Sequence, residues 1–215
     1  LYTCPPDGPG DQRLRRFLSV LPHPPARFVY ISTTGVYGDC RGAVVTEDTP
    51  VNPDNRMSRP RVDAENLLAA WADETGCALL VLRVPGIYGP ARLGVERIRA
   101  REAYLEEADA NPGNRIHVDD LAKCCLAALD TKTPAGIYNV GDGDHRTATW
   151  FAGEVARLAG LPEPRKISRG EAAIEFSPMR LAFLASSRIV DTTKMREVLG
   201  VTPRTPEEGI RDSLL

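Results

Sequence analysis

Ile31-Ser32-Thr33-Thr34-Gly35-Val36-Tyr37-Gly38-Asp39 is the stretch on which the reading of this chain turns. Residues 27–32, which lead into it, are rich in aromatic and β-branched side chains and of strand length, so they read as a buried strand. A strand that ends in Ser-Thr-Thr-Gly places hydroxyls where the chain leaves the sheet. In open α/β folds that carboxyl edge is where ligands bind. Taken alone, the stretch reads equally well as a polar turn.

The flanking segments supply the context. Residues 1–4 form a short apolar run stopped by Pro5-Pro6, and residues 78–84 are a second β-rich run; both read as buried strands. Between the strands lie stretches of helical period: residues 11–20 carry Leu14, Phe17 and Leu18 on one face, and residues 59–72 carry Val62, Leu67, Leu68 and Trp71. Pro60 belongs in a first helical turn, which sets the start of the second helix at Ser58 or Arg59. Strands alternating with helices predict parallel β-α-β units. Farther on, Asp119 is the expected N-cap of a helix through Leu121, Cys125 and Leu129, and residues 137–140 form a further strand. Residues 147–159 are a helix closed by Gly160 and Pro162, while Thr205, Pro206 and Glu208 spell a capping box with proline at the first helical position. Residues 91–114 and 162–187 lack a clean strand pattern and are assigned to a smaller, partly helical lobe. The expected fold is a doubly wound parallel α/β sheet with a small C-terminal substrate lobe.

Composition supports an ordinary globular chain. Among 215 residues, 27 Lys and Arg face 29 Asp and Glu for a net charge of −2, and 42% are hydrophobic. A sizeable core is available, and the even charge lacks the basic footprint of a nucleic-acid binder. The longest apolar run, residues 77–82, falls far short of the ~20 residues that cross a bilayer. Cys4, Cys40, Cys77, Cys124 and Cys125 make an odd count without a Cys-x-x-Cys pair, which predicts a reduced, cytoplasmic protein. His23, His117 and His145 stand far apart, so no metal site is expected. The sequence opens on Leu1 without a signal-peptide pattern and reads as a piece of a longer polypeptide.

Further pieces follow in order: Asp63-Ala64-Glu65, Leu82-Arg83-Val84-Pro85-Gly86-Ile87-Tyr88-Gly89-Pro90, Ile116-His117-Val118-Asp119-Asp120-Leu121-Ala122, Tyr138-Asn139-Val140-Gly141, and Leu199-Gly200 followed by Pro203 and Glu207-Glu208-Gly209. With the Thr33 stretch, this series resembles the extended short-chain dehydrogenase/reductases, the NAD-dependent epimerases and dehydratases. The resemblance covers nearly the whole chain. It implies a Rossmann-like fold incomplete at the N-terminus, with residues 1–90 as the C-terminal half of the NAD(P)-binding domain. Residues 91–215 are then mainly the substrate lobe, and 116–141 pack back on the sheet. The implied cofactor is NAD or NADP, the partner a small-molecule substrate, and the resemblance allows a homodimer.

Residue by residue, the resemblance aligns Thr33 with the Ser or Thr that holds the substrate carbonyl; a structural hydroxyl closing the strand is the rival reading. It sets Pro85, Gly86 and Ile87 against the nicotinamide ring and gathers Thr3 and Ser32 at the same edge. Thr34, Tyr37 and Tyr88 are the candidates facing substrate, although each tyrosine also reads as a packed ring. Two departures matter. No Gly-x-x-Gly-x-x-Gly turn, which would hold a cofactor pyrophosphate, occurs in these residues, and the resemblance places the first three strands upstream of Leu1. Counting back from Glu65 also puts Met57 where the family carries its catalytic Tyr, and Arg61 where it carries Lys. Met57 has no exchangeable proton; Arg61 can bind ribose hydroxyls but cannot pass protons on. Arg92, Arg97, Arg99 and Arg101 alternate with glutamates and read as a solvated face. Arg115 lies only two residues before His117, a poor match to a nucleotide-diphosphate ligand, and His117 reads as a buried, hydrogen-bonded ring.

Overall fold

In β1 (Arg27–Thr33) and β3 (Ala78–Val84), alternate side chains point to opposite faces, and each face finds its own helical layer. The computed structural model describes residues 1–53 and 58–215. Phe28, Tyr30 and Val81 pack with Leu14 and Leu18 of α1 (Gln12–Ser19) and with Ala64 and Leu68 of α2 (Arg59–Thr75). Val29, Leu80, Leu82 and Val84 face the other way, onto Leu121, Cys124 and Ala128 of α4 (Val118–Leu129) and onto Met195 and Leu199 of a π-helical turn. This is the doubly wound arrangement. Each fully buried Leu or Val contributes about 1.5–3 kcal/mol by leaving water.

The register is parallel throughout: Arg27 to Thr33 of β1 pair with Ala78 to Val84 of β3, and Leu80 to Arg83 pair with β7 (Gly136–Asn139). After Pro85 the chain continues as β4 (Gly86–Tyr88), parallel to β6 (Arg115–His117). β2 (Val44–Val45) pairs with β9 (Ile189–Val190) and crosses from the Thr33 side to the C-terminal part. That part contains α3 (Val95–Arg99), β5 (Ala103–Leu105), α5 (Ala148–Leu158), β8 (Arg165–Ile167), α6 (Arg169–Glu175), α7 (Pro178–Ala185) and α8 (Pro206–Leu214).

Several local expectations hold. α2 begins at Arg59 with Pro60 in its first turn, and Thr205 and Glu208 form the capping box of α8; Asp11, read as the first residue of the helical stretch, instead caps α1 by accepting from Leu14 N at 3.1 Å. Others need correction. Residues 1–4 are not a strand: Tyr2 makes one parallel bridge to Tyr30, through Tyr2 N to Val29 O at 2.8 Å and Ile31 N to Tyr2 O at 3.1 Å. Pro5 and Pro6 lack the N–H groups that would extend the ladder. The N-cap of α4 is His117, whose Nδ1 accepts from Asp119 N at 3.1 Å, so Asp119 sits in the first turn instead. The supposedly irregular segments supply the parallel β5–β8 pair, whose three-residue strands are too short for a period to show. Among the described residues, no helix is long and apolar enough to cross a membrane.

Candidate functional site

Thr33 is the last residue of β1 and pairs with Val84, two residues before Gly86, so the hydroxyl-rich turn and the Pro85 loop leave the sheet at the same edge. Thr33 Oγ1 accepts from Gly35 N at 3.1 Å and caps the 3-10 turn Thr34–Tyr37. One lone pair is thereby used, and the hydroxyl hydrogen is left to donate. A Cβ at Gly35 would lie 2.6 Å from Ser58 Oγ, so the turn sits close against the residue that precedes α2 and a side chain there would force Ser58 to turn. Pro85 and Ile87 are half-buried and Gly86 is exposed. Gly86 N donates to Asn114 O at 3.3 Å, and the Asn114 side chain ties this backbone to Arg188 O and Val190 N, each at 2.9 Å.

Beneath the edge lies a buried polar network. Arg83 donates from Nη2 to Glu65 Oε2 at 2.7 Å and from Nη1 to the Tyr37 hydroxyl at 3.0 Å, and Ser32 donates to Glu65 Oε1. The Tyr37 hydroxyl in turn donates to Asn139 Oδ1 at 2.7 Å, and Asn139 N donates to Glu47 Oε1 at 2.8 Å. Both members of the Arg83–Glu65 ion pair are nearly inaccessible, at 4% and 8% side-chain exposure. The network joins β1, α2, β3, the 3-10 turn and β7, and so holds the floor under Thr33. Sequence reasoning did not assemble it. Its signal was Arg83, a charge inside an apolar strand, which demands a buried partner.

The remaining candidates divide. Thr34 is buried in the turn, and Thr3 is exposed beside the Tyr2 bridge. Arg61 Nη1 donates to Ile31 O at 2.7 Å and to the Tyr30 hydroxyl at 3.2 Å, which fixes its guanidinium on β1. Met57 lies outside the described residues. Both tyrosines belong to the core rather than to an open surface. Tyr37 is 1% exposed, and burial raises its pKa. Tyr88 packs edge-on against His117 and Phe151, away from Thr33, with burial and then Asp142 raising its pKa. Both phenols are buried, Tyr37 within the Arg83 network and Tyr88 where β4 meets α8. Two surface depressions, of about 420 and 330 Å³, lie elsewhere: one between α5 and β8, the other beside Gly143, His145 and Arg196. Neither hollow is lined by Thr33, Pro85, Gly86 or Ile87. Among the described residues no cluster of His, Cys, Asp and Glu fits a metal ion.

Residues 14–141 match the model of the NAD dependent epimerase/dehydratase family. The chain is 30% identical over 164 residues to protein YeeZ of Escherichia coli K12, covering 74% of this chain and 57% of that protein. It thus spans little more than half the length of this curated relative. A conserved protein of unknown function from Silicibacter pomeroyi superposes with a TM-score of 0.77 at 32% identity, over 87% of this chain and 65% of that one. The UDP-glucuronic acid 4-epimerase of Bacillus cereus, solved in complex with NAD, shares the fold with a TM-score of 0.71 at 17% identity, over 94% of this chain and 63% of its own. By sequence over residues 14–141 and by its parallel α/β fold, the chain belongs to the NAD dependent epimerase/dehydratase family.

Proposed function

We propose that the shared edge of β1 and β3 holds the nicotinamide end of NAD or NADP beside a secondary alcohol or carbonyl substrate, in an oxidoreductase or epimerase-like protein. The observation that carries this reading is the pairing of Thr33 with Val84, which brings a hydroxyl donor and the exposed Gly86 to one edge. The residues present fit a flat ring: a Cβ at Gly86 would meet only Asn114 O, at 3.4 Å, so the bare backbone leaves a seat. A bound nicotinamide supplies hydride exchange at its C4 position.

The chain's own residues hold and orient. Thr33 donates its hydroxyl hydrogen to the substrate oxygen, Thr34 and Ser32 fix the turn that presents it, and Pro85, Gly86 and Ile87 form the ring seat. Thr3 flanks the edge, and Arg61 adds a fixed positive charge. Residues 1–90 then serve the cofactor and residues 91–215 mainly the substrate. A second reading, cofactor binding without turnover, is favoured by Arg61, whose guanidinium is tied to Ile31 O where the family carries its Lys. With Met57 at the position of the family's Tyr, neither partner of that acid/base pair is available.

The test is saturation-transfer NMR on the 215-residue protein with NAD. We expect weak binding, no tighter than about 1 mM, with the nicotinamide protons receiving more saturation than the adenine protons. Gly86→Leu, at a backbone that needs no positive φ, abolishes that signal without lowering the melting temperature. Transfer centred on adenine, or micromolar affinity by calorimetry, would show that the edge is misassigned.

A further inference from the structure

An asparagine side chain carries the donor and the acceptor of a peptide group on one planar amide, so it can take the place of a main-chain residue in a β-ladder. Asn114 does this at β9. Its Nδ2 donates to Arg188 O and its Oδ1 accepts from Val190 N, both at 2.9 Å, and these are the two bonds that a parallel strand makes on either side of Ile189. The opposite edge of β9 is paired with β2: Ile189 N donates to Ala43 O at 3.0 Å and Asp191 N to Val45 O at 2.9 Å. β9 is therefore flanked by β2 on one side and by the Asn114 amide on the other. The residue type matters, because an ionised Asp only accepts and a Leu does neither.

Residues 187–190 form a strap that starts at the loop following the hydroxyl-rich turn. Ser187 N donates to Asp39 Oδ1 at 2.9 Å, Ser187 O accepts from Cys40 N at 2.9 Å and from Gly42 N at 3.1 Å, and Arg188 Nη1 donates to Gly38 O at 2.7 Å. Gly38 directly follows the 3-10 turn that Thr33 caps. The strap ends on Asn114, whose own backbone oxygen accepts from Gly86 N at 3.3 Å. Thr33 and Gly86 are thus joined twice, once through β1 and β3 and once through residues 38–45, the strap and Asn114. The sheet by itself pairs Thr33 only with Val84; Gly86 lies two residues farther on, where the chain has left β3 and rests on Asn114. We infer that Asn114 is a positioning residue of this site: its amide fixes the Pro85 loop relative to the Thr33 turn and so orients a nicotinamide ring between them. The inference rests on the proposed reading of the β1–β3 edge and adds to it a residue that acts through the backbone of Gly86.

Saturation-transfer NMR with NAD on the 215-residue protein tests this through the ratio of nicotinamide to adenine saturation. Asn114→Leu removes both side-chain bonds, and Asn114→Asp removes the donor at nearly constant shape. Each is expected to lower the ratio by about threefold or more, the effect of losing one hydrogen bond. Thr149→Val is the matched control: it deletes the bond from Thr149 Oγ1 to Leu105 O at 2.6 Å, in the hollow between α5 and β8, and lowers the melting temperature while leaving the ratio unchanged. A ratio that stays at the wild-type value in both Asn114 variants, with a melting temperature lowered as in the control, overturns the inference. Hydrogen exchange on the unaltered protein reads the same link without a substitution. NAD is expected to slow exchange of the Gly86 and Val190 amides, both bonded to Asn114, by factors equal within about twofold. Slowing at Gly86 with Val190 unchanged also overturns it. Absence of the nicotinamide signal in the unaltered protein removes the functional reading itself, whereas a signal that survives the Asn114 changes removes only the positioning role.

Discussion

Arg83 and Glu65 show how one buried charge organises its surroundings. Isolated in a strand interior, a guanidinium would be strongly destabilising; here Glu65 neutralises it, Tyr37 accepts from it, and the Tyr37 ring lies 4.9 Å from its centre. Removing one partner leaves the other charge uncompensated. Arg83→Met is therefore expected to cost about 3–5 kcal/mol, read from urea denaturation. The double variant Glu65→Leu with Arg83→Met should lose clearly less than the sum of the two single changes. Strict additivity in that cycle would mean that the pair does not act as a unit. Ser32 and Tyr37 are explained by the same contacts. Their hydroxyls serve the network, although by sequence position alone both looked like groups that meet a ligand.

Among the elements, α8 illustrates a conflict between local propensity and packing. Its start is written in the sequence: Thr205 accepts from Glu208 N, Glu208 accepts from Thr205 N at 2.8 Å, and Pro206 begins the first turn. Gly209 then sits inside the helix, where glycine is unfavourable by roughly 1 kcal/mol relative to alanine. The reason lies across the interface. A Cβ there would come 2.8 Å from Tyr88 Cε2 and closer still to the hydroxyl, so the bare backbone lets α8 pack against β4. Gly209→Ala is thus expected to destabilise, because overpacking costs about 1–3 kcal/mol and outweighs the gain in propensity. A rise in melting temperature would contradict this packing account. The His117 cap of α4 follows the same logic: its ring also meets Ser213 of α8 at 3.1 Å, and burial followed by the nearby Arg204 lowers its pKa, so it serves as a neutral acceptor.

For the protein as a unit, the pH dependence of folding should carry the mark of Asp142. This carboxyl is 8% exposed, and burial lifts its pKa from 3.8 to about 7 despite an N–H bond from Asp144 and the charge of Arg115. The sign follows from proton counts. Between the two pKa values the folded chain holds a proton that the unfolded chain has released, so stability falls as pH rises from about 4 to about 7 and levels off above. Asp142→Asn keeps an oxygen for Asp144 N and removes the titration. The difference in unfolding free energy between variant and wild type should grow in favour of the variant between pH 4.5 and pH 8, by a few kcal/mol at most. A difference independent of pH would place the Asp142 carboxyl in contact with water.

The amino-acid sequence was enough for whatever depends on neighbours along the chain. The β-rich runs of β1 and β3, the helical stripes of α1 and α2, the capping box of α8 and the turn after Thr33 were all legible, because strand composition, helical period and cap chemistry act over a few residues. The ordered motif series also pointed to the family. What needed the folded chain were partners far apart in sequence: Glu65 for Arg83 across 18 residues, Asn139 for Tyr37 across 102, and Ser213 for His117 across 96. The β5–β8 pairing belongs with these, as does the reduction of residues 1–4 to one bridge. In each case the deciding contact arises only when packing brings remote segments together, and burial then sets which polar groups are tied down inside and which remain exposed at the edge.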